Sequence, residues 1–130
     1  MVTSRSLLKN RPRTILLVED QKYNLLVLTK MIERMGISVI QAENGLEAVE
    51  ICKGEKEFDL VLMDLKMPVM DGYHAMVEIK KLRPGIRVVA ETAYALAGDD
   101  KKILAAGFDD YLPKPITKES LEATVERNFS

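Results

Sequence analysis

Five short apolar runs at regular intervals constrain this chain more than any other feature: Ile15-Leu16-Leu17-Val18, Ile37-Ser38-Val39-Ile40, Leu60-Val61-Leu62-Met63, Ile86-Arg87-Val88-Val89-Ala90 and Tyr111-Leu112. Each has strand length. The first and third contain no polar residue, as strands buried on both faces require. Between the runs lie helical patterns: Leu25, Leu28, Ile32 and Met35 form one apolar stripe, and Ala75, Met76, Ile79 and Leu82 another. Gly36, Gly54, Pro84-Gly85 and Gly107 punctuate helix ends, while Asn44-Gly45 and Asp71-Gly72 suit helix starts. A strand-to-strand spacing of roughly 22 to 27 residues leaves room for one helix per crossover, and right-handed crossovers then give a parallel sheet covered on both faces. The expectation is a five-unit βα sandwich, a doubly wound α/β sheet, whose last helix runs from about Thr117 to Asn128.

A chain of 130 residues suits one domain. Residues 1–12 read as a lead-in or linker and 13–130 as the domain. Nineteen basic against twenty acidic residues leave a net charge of −1, so no basic field points to direct nucleic-acid binding. The single cysteine, Cys52, cannot form an internal disulfide, and no Cys/His cluster suggests zinc. No apolar span is long enough to insert in a membrane, and the expected location is the cytoplasm, which includes the cytosolic part of a membrane-bound sensor.

In open parallel sheets ligands bind beyond the carboxyl ends of the strands, where strand order reverses; for order 2-1-3-4-5 that is between strands 1 and 3. Strand 1 runs into Glu19-Asp20, strand 3 into Asp64, strand 4 into Glu91-Thr92 and strand 5 into Pro113-Lys114-Pro115. Carboxylates gathered at one edge raise one another's pKa unless a cation neutralises them. Oxygen ligands without His or Cys favour Mg²⁺, which keeps waters and a phosphate oxygen in its shell. An ionised Asp64 can then attack phosphorus, with Lys114 on one phosphate oxygen and Thr92 on another.

The segments Leu17-Val18-Glu19-Asp20, Met63-Asp64-Leu65-Lys66-Met67-Pro68-Val69-Met70-Asp71-Gly72, Thr92-Ala93-Tyr94-Ala95 and Asp110-Tyr111-Leu112-Pro113-Lys114-Pro115 resemble the response-regulator receiver domain, of the type attached to hybrid sensor histidine kinases. The resemblance implies a flavodoxin-like fold of order 2-1-3-4-5 and a phosphorelay role in which Asp64 accepts a phosphoryl group from a phosphohistidine. It further implies Mg²⁺ on Glu19, Asp20, Asp64 and the carbonyl of Lys66, with Thr92 and Tyr111 as a switch pair. A cis Lys114-Pro115 peptide and tuning of the phosphoryl lifetime by Lys66 and Tyr94 are also implied. The partner is a histidine kinase or histidine phosphotransfer domain, and the face of the fourth helix, fifth strand and fifth helix is open to homodimer formation. Such a domain catalyses its own phosphorylation and slow dephosphorylation but works mainly as a switch. Glu91 departs from the usual large apolar residue, which suggests an exposed end to strand 4.

Two other functions compete. Haloacid-dehalogenase-like phosphatases also use a strand-end Asp and Mg²⁺, but they need a second Asp two residues on, where this chain has Lys66. A non-phosphorylated pseudo-receiver acting only as a binding module is disfavoured by the intact Asp64, Thr92 and Lys114. Dinucleotide and flavin binding lack their glycine-rich phosphate loop after strand 1. Other residues have ordinary explanations: Asp71 as a helix N-cap, Asp109 and Asp110 as a solvated turn, the lone His74 as a surface residue and Cys52 as core.

Overall fold

A computed structural model describes residues 12–67, 69–93 and 98–129. The expected lead-in falls almost wholly outside the described residues. Strands β1 (Thr14–Val18), β2 (Ser38–Ala42), β3 (Leu60–Asp64), β4 (Arg87–Thr92) and β5 (Asp110–Pro113) alternate with helices α1 (Lys22–Glu33), α2 (Gly45–Lys53), α3 (Gly72–Leu82), α4 (Asp99–Ala106) and α5 (Lys118–Phe129). The sheet is parallel throughout, in the order β2-β1-β3-β4-β5, as expected.

Strand alternation sorts the core into two layers. Leu16, Val18, Val61, Met63, Val88 and Ala90 pack with Ala48, Val49 and Cys52 of α2, Ala75, Met76 and Ile79 of α3, and Ile103 of α4. Ile15, Leu17, Leu60, Leu62, Val89 and Leu112 pack on the other face with Leu25, Leu28 and Ile32 of α1 and Leu121 and Val125 of α5. The helix starts are capped where the residue types allow it. Asn44 accepts from the Glu47 N–H at 2.8 Å and Asp71 from the His74 N–H at 2.9 Å. Thr117 and Ser120 exchange side-chain-to-backbone bonds at the start of α5, a capping box closed by serine.

Two expectations fail. β4 does not stop at Ala90 with an exposed tail: Glu91 and Thr92 pair in register with Asp64 on β3 and with Leu112 and Pro113 on β5, and Glu91 is fully buried. A central strand is flanked on both edges, so its polar end is enclosed by its neighbours. Nor are Asp109 and Asp110 a solvated turn. Asp109 accepts from the Val88 N–H at 2.8 Å and pairs with Lys80 of α3, while Asp110 begins β5 and holds Arg127 and Asn128 of α5. Both staple helices to the sheet. His74 is exposed and Cys52 buried, as expected. Among the described residues no helix is long and apolar enough to cross a membrane.

Candidate functional site

The carboxyl ends of β1, β3, β4 and β5 border one open pocket of about 350 Å³. Asp20, Asp64, Lys66, Glu91, Thr92 and Lys114 all line it, together with Asn24 of α1, Tyr73 of α3 and Lys102 of α4. Asp64 is positioned by a close approach of backbones. A Cβ on Gly72 would lie 2.6 Å from the Asp64 carbonyl oxygen and 2.8 Å from Leu65 Cα, so only glycine lets α3 start here. The Gly72 N–H donates to the Leu65 carbonyl, and the Lys66 N–H donates to Asp64 Oδ1 at 3.1 Å. Between these anchors Val69 holds φ at +72°, strained for a β-branched residue.

Glu19, Asp20 and Asp64 each offer a carboxylate oxygen within 4.8 Å of the others. Glu19 Oε1 accepts from the Gln21 N–H and Asn24 Nδ2, but the buried Oε2 has no hydrogen-bond partner among the described residues. Burial, and secondarily the neighbouring Asp64 carboxylate, pushes Glu19 up from 4.5 to about 7. An orphaned buried oxygen and three hard donors in one cluster suit a divalent cation. Lys114 Nζ stands 3.4 Å from Asp64 Oδ2. Burial lowers the Lys114 pKa, but Asp64, Glu19 and Glu91 outweigh it, and the net shift is upward. The Lys114-Pro115 peptide is cis.

A family model for the response regulator receiver domain matches residues 15–126. The chain belongs to this family. The receiver domain is 39% identical over 123 residues to the sensor protein GacS of Pseudomonas syringae pv. syringae, a match that covers 91% of this chain but 14% of that protein. This domain therefore spans about a seventh of that relative. Its fold superposes with a TM-score of 0.82 on the receiver domain of a Pseudomonas aeruginosa PAO1 sensor histidine kinase, at 36% identity over 91% of this chain and 98% of that one. That structure has a magnesium ion coordinated in its active-site cleft. The receiver domain of Saccharomyces cerevisiae Ssk1, solved with the histidine phosphotransfer protein Ypd1, gives a TM-score of 0.81 at 31% identity, covering 91% of this chain and 89% of that one.

Of the residues singled out in the sequence, the receiver fold gathers Glu19, Asp20, Asp64, Lys66, Thr92 and Lys114 at one edge. Tyr111 is not in that pocket. It is half-buried on the face of α2, α3 and α4, opposite Ala90 in the register and so on the same side of the sheet as Thr92. Tyr94 lies outside the described residues. The residue that sequence reasoning misplaced is Glu91. Period-two alternation along β4 sets it beside Val89 on the α1/α5 side, and the signal was present in the sequence once the strand was extended by two residues.

Proposed function

We propose that this receiver domain is a phosphorelay acceptor in which an Asp64 carboxylate oxygen takes the phosphoryl group of a phosphohistidine. The observation that carries the reading is the convergence of Asp64 with Lys114 on one side and Glu19 and Asp20 on the other. The new O–P bond forms as the N–P bond breaks; the electron pair stays on the imidazole nitrogen, which takes a proton from solvent. Glu19, Asp20, Asp64 and the Lys66 carbonyl would hold Mg²⁺, which when bound neutralises the cluster and draws charge from the phosphoryl oxygens. Lys114 pairs with a phosphoryl oxygen and Thr92 donates its hydroxyl to another. The new charge draws Thr92 inward, and Tyr111, on the same side of the sheet, follows. The α4–β5–α5 face is then the surface that changes, and a second copy can use it.

The donor is a histidine kinase or a histidine phosphotransfer domain, a reading supported by the Ssk1–Ypd1 and GacS likenesses. The apolar side chains Tyr23, Leu26 and Val27 of α1 are exposed, and Tyr23 borders a groove that also includes Lys114. They offer a docking surface for a helical donor beside the acceptor. Residues 13–130 form the acceptor unit in this reading.

Incubation with phosphoramidate followed by intact mass measurement tests it. One added phosphoryl group is expected, lost with EDTA and absent in Asp64→Asn. Labelling that persists in Asp64→Asn overturns the assignment.

A further inference from the structure

Transfer from a phosphohistidine brings the donor's imidazole ring, and not only its phosphoryl group, to the pocket at Asp64. The Asp64 oxygen that attacks phosphorus and the nitrogen that leaves it stand on opposite sides of one atom, and reaction needs an approach of roughly 3 to 3.5 Å. Glu19, Asp20, Thr92 and Lys114 account for the phosphoryl group and its cation. None of them is suited to hold a flat, largely apolar ring. Among the described residues that line this pocket Tyr73 is the one aromatic side chain, and it is 36% exposed.

Tyr73 is also held in place. It follows Gly72, where an added Cβ would meet the Asp64 carbonyl oxygen at 2.6 Å, so the start of α3 is registered on the backbone of the acceptor itself. Its ring makes an edge contact with Phe108, with 5.6 Å between centroids and 81° between planes. Phe108 is buried in the core between α4 and β5, and the next residue, Asp109, is tied to Val88 and Lys80. A perpendicular pair uses either an edge or one face of each ring, so at least one face of Tyr73 is left uncovered by Phe108. Leucine is apolar too, but it presents no flat surface.

We propose that Tyr73 is a donor-recognition residue: its ring takes the imidazole of the incoming phosphohistidine and fixes the angle at which the N–P bond is presented to Asp64. This rests on the acceptor reading given above. Aromatic rings prefer offset-stacked or edge-to-face contacts, and a ring already fixed before the donor arrives loses little further conformational entropy on docking. In the step itself the O–P bond forms at Asp64 as the N–P bond breaks, the electron pair stays on the imidazole nitrogen, and that nitrogen takes a proton from solvent. Tyr73 exchanges neither atoms nor electrons. Its contribution is a choice among leaving groups, because imidazole offers a ring to pack on and ammonia offers none.

The test compares two small donors, phosphoimidazole and phosphoramidate, so that docking of a partner protein plays no part. The full chain is used at saturating Mg²⁺ as wild type, Tyr73→Phe, Tyr73→Leu and Tyr73→Met, the last a second ringless variant should leucine not fold. Initial rates of labelling are read by intact mass, with folding checked by circular dichroism. In the ringless variants the ratio of the phosphoimidazole rate to the phosphoramidate rate should fall about fivefold, the size of one aromatic contact, and Tyr73→Phe should keep the wild-type ratio. A general disturbance of the site would slow both donors alike and leave the ratio unmoved. An unchanged ratio in the ringless variants therefore overturns the proposal, as does a fall in Tyr73→Phe as large as in Tyr73→Leu. Wild type labelled by phosphoramidate but not by phosphoimidazole overturns it while the acceptor reading stands, and label from neither donor overturns both.

Discussion

Replacing Glu91 by glutamine should change how the stability of the receiver domain depends on pH, with a sign and size set by burial. The side chain is fully buried and its pKa is raised from 4.5 to about 8. Between those values the folded state keeps a proton that the unfolded chain has released, so stability falls as pH rises. The slope is about 1.4 kcal/mol per pH unit, and between about pH 5 and about pH 8 the loss is on the order of 3 kcal/mol. That is a large part of the roughly 5 to 15 kcal/mol that holds a domain together. Glutamine does not titrate, so in metal-free buffer Glu91→Gln should gain about 3 kcal/mol on wild type across that range. Glu19, raised to about 7, contributes in the same direction and its charge helps to raise Glu91, so the difference between the two proteins reads Glu91 together with its coupling to Glu19. Urea unfolding followed by far-UV circular dichroism in EDTA measures it, since the chain has no tryptophan. A difference that stays constant from about pH 5 to about pH 8 would show that Glu91 is not held as the neutral acid, and the burial reasoning would be refuted.

Two other outcomes are expected. Gly72→Ala should destabilise the domain by about 2 kcal/mol or more in urea unfolding, since its Cβ meets the Asp64 carbonyl at 2.6 Å and the backbone must move; a variant within ~0.5 kcal/mol of wild type would show that the β3–α3 junction yields freely. Replacing Lys66 by asparagine and Tyr94 by alanine together should speed loss of phosphate from Asp64 by on the order of tenfold, about 1.4 kcal/mol of barrier, and unchanged or slower decay in a radiolabel chase would remove these side chains from control of the lifetime.

Much of this receiver domain was legible in the sequence because the signals are local. Apolar runs of four residues can only be strands when both faces are covered, and Leu60-Val61-Leu62-Met63 became a fully buried β3. Asp71 and Asn44 cap the helices they precede, through bonds spanning three residues. Glu19, Asp20, Asp64, Thr92 and Lys114 could be placed at one edge from strand ends alone, because a parallel sheet puts every carboxyl end on the same side. What local pattern could not supply was the environment of each side chain. Glu91 reads as an exposed strand tail until β3 and β5 enclose it, and its carboxyl is buried only because those strands run on either side. Asp109 reads as a solvated turn until Lys80, twenty-nine residues earlier, reaches it. Composition and periodicity are properties of neighbours in sequence, whereas burial and charge pairing depend on residues brought together from distant parts of the chain, and the tertiary structure alone decides which of these meet.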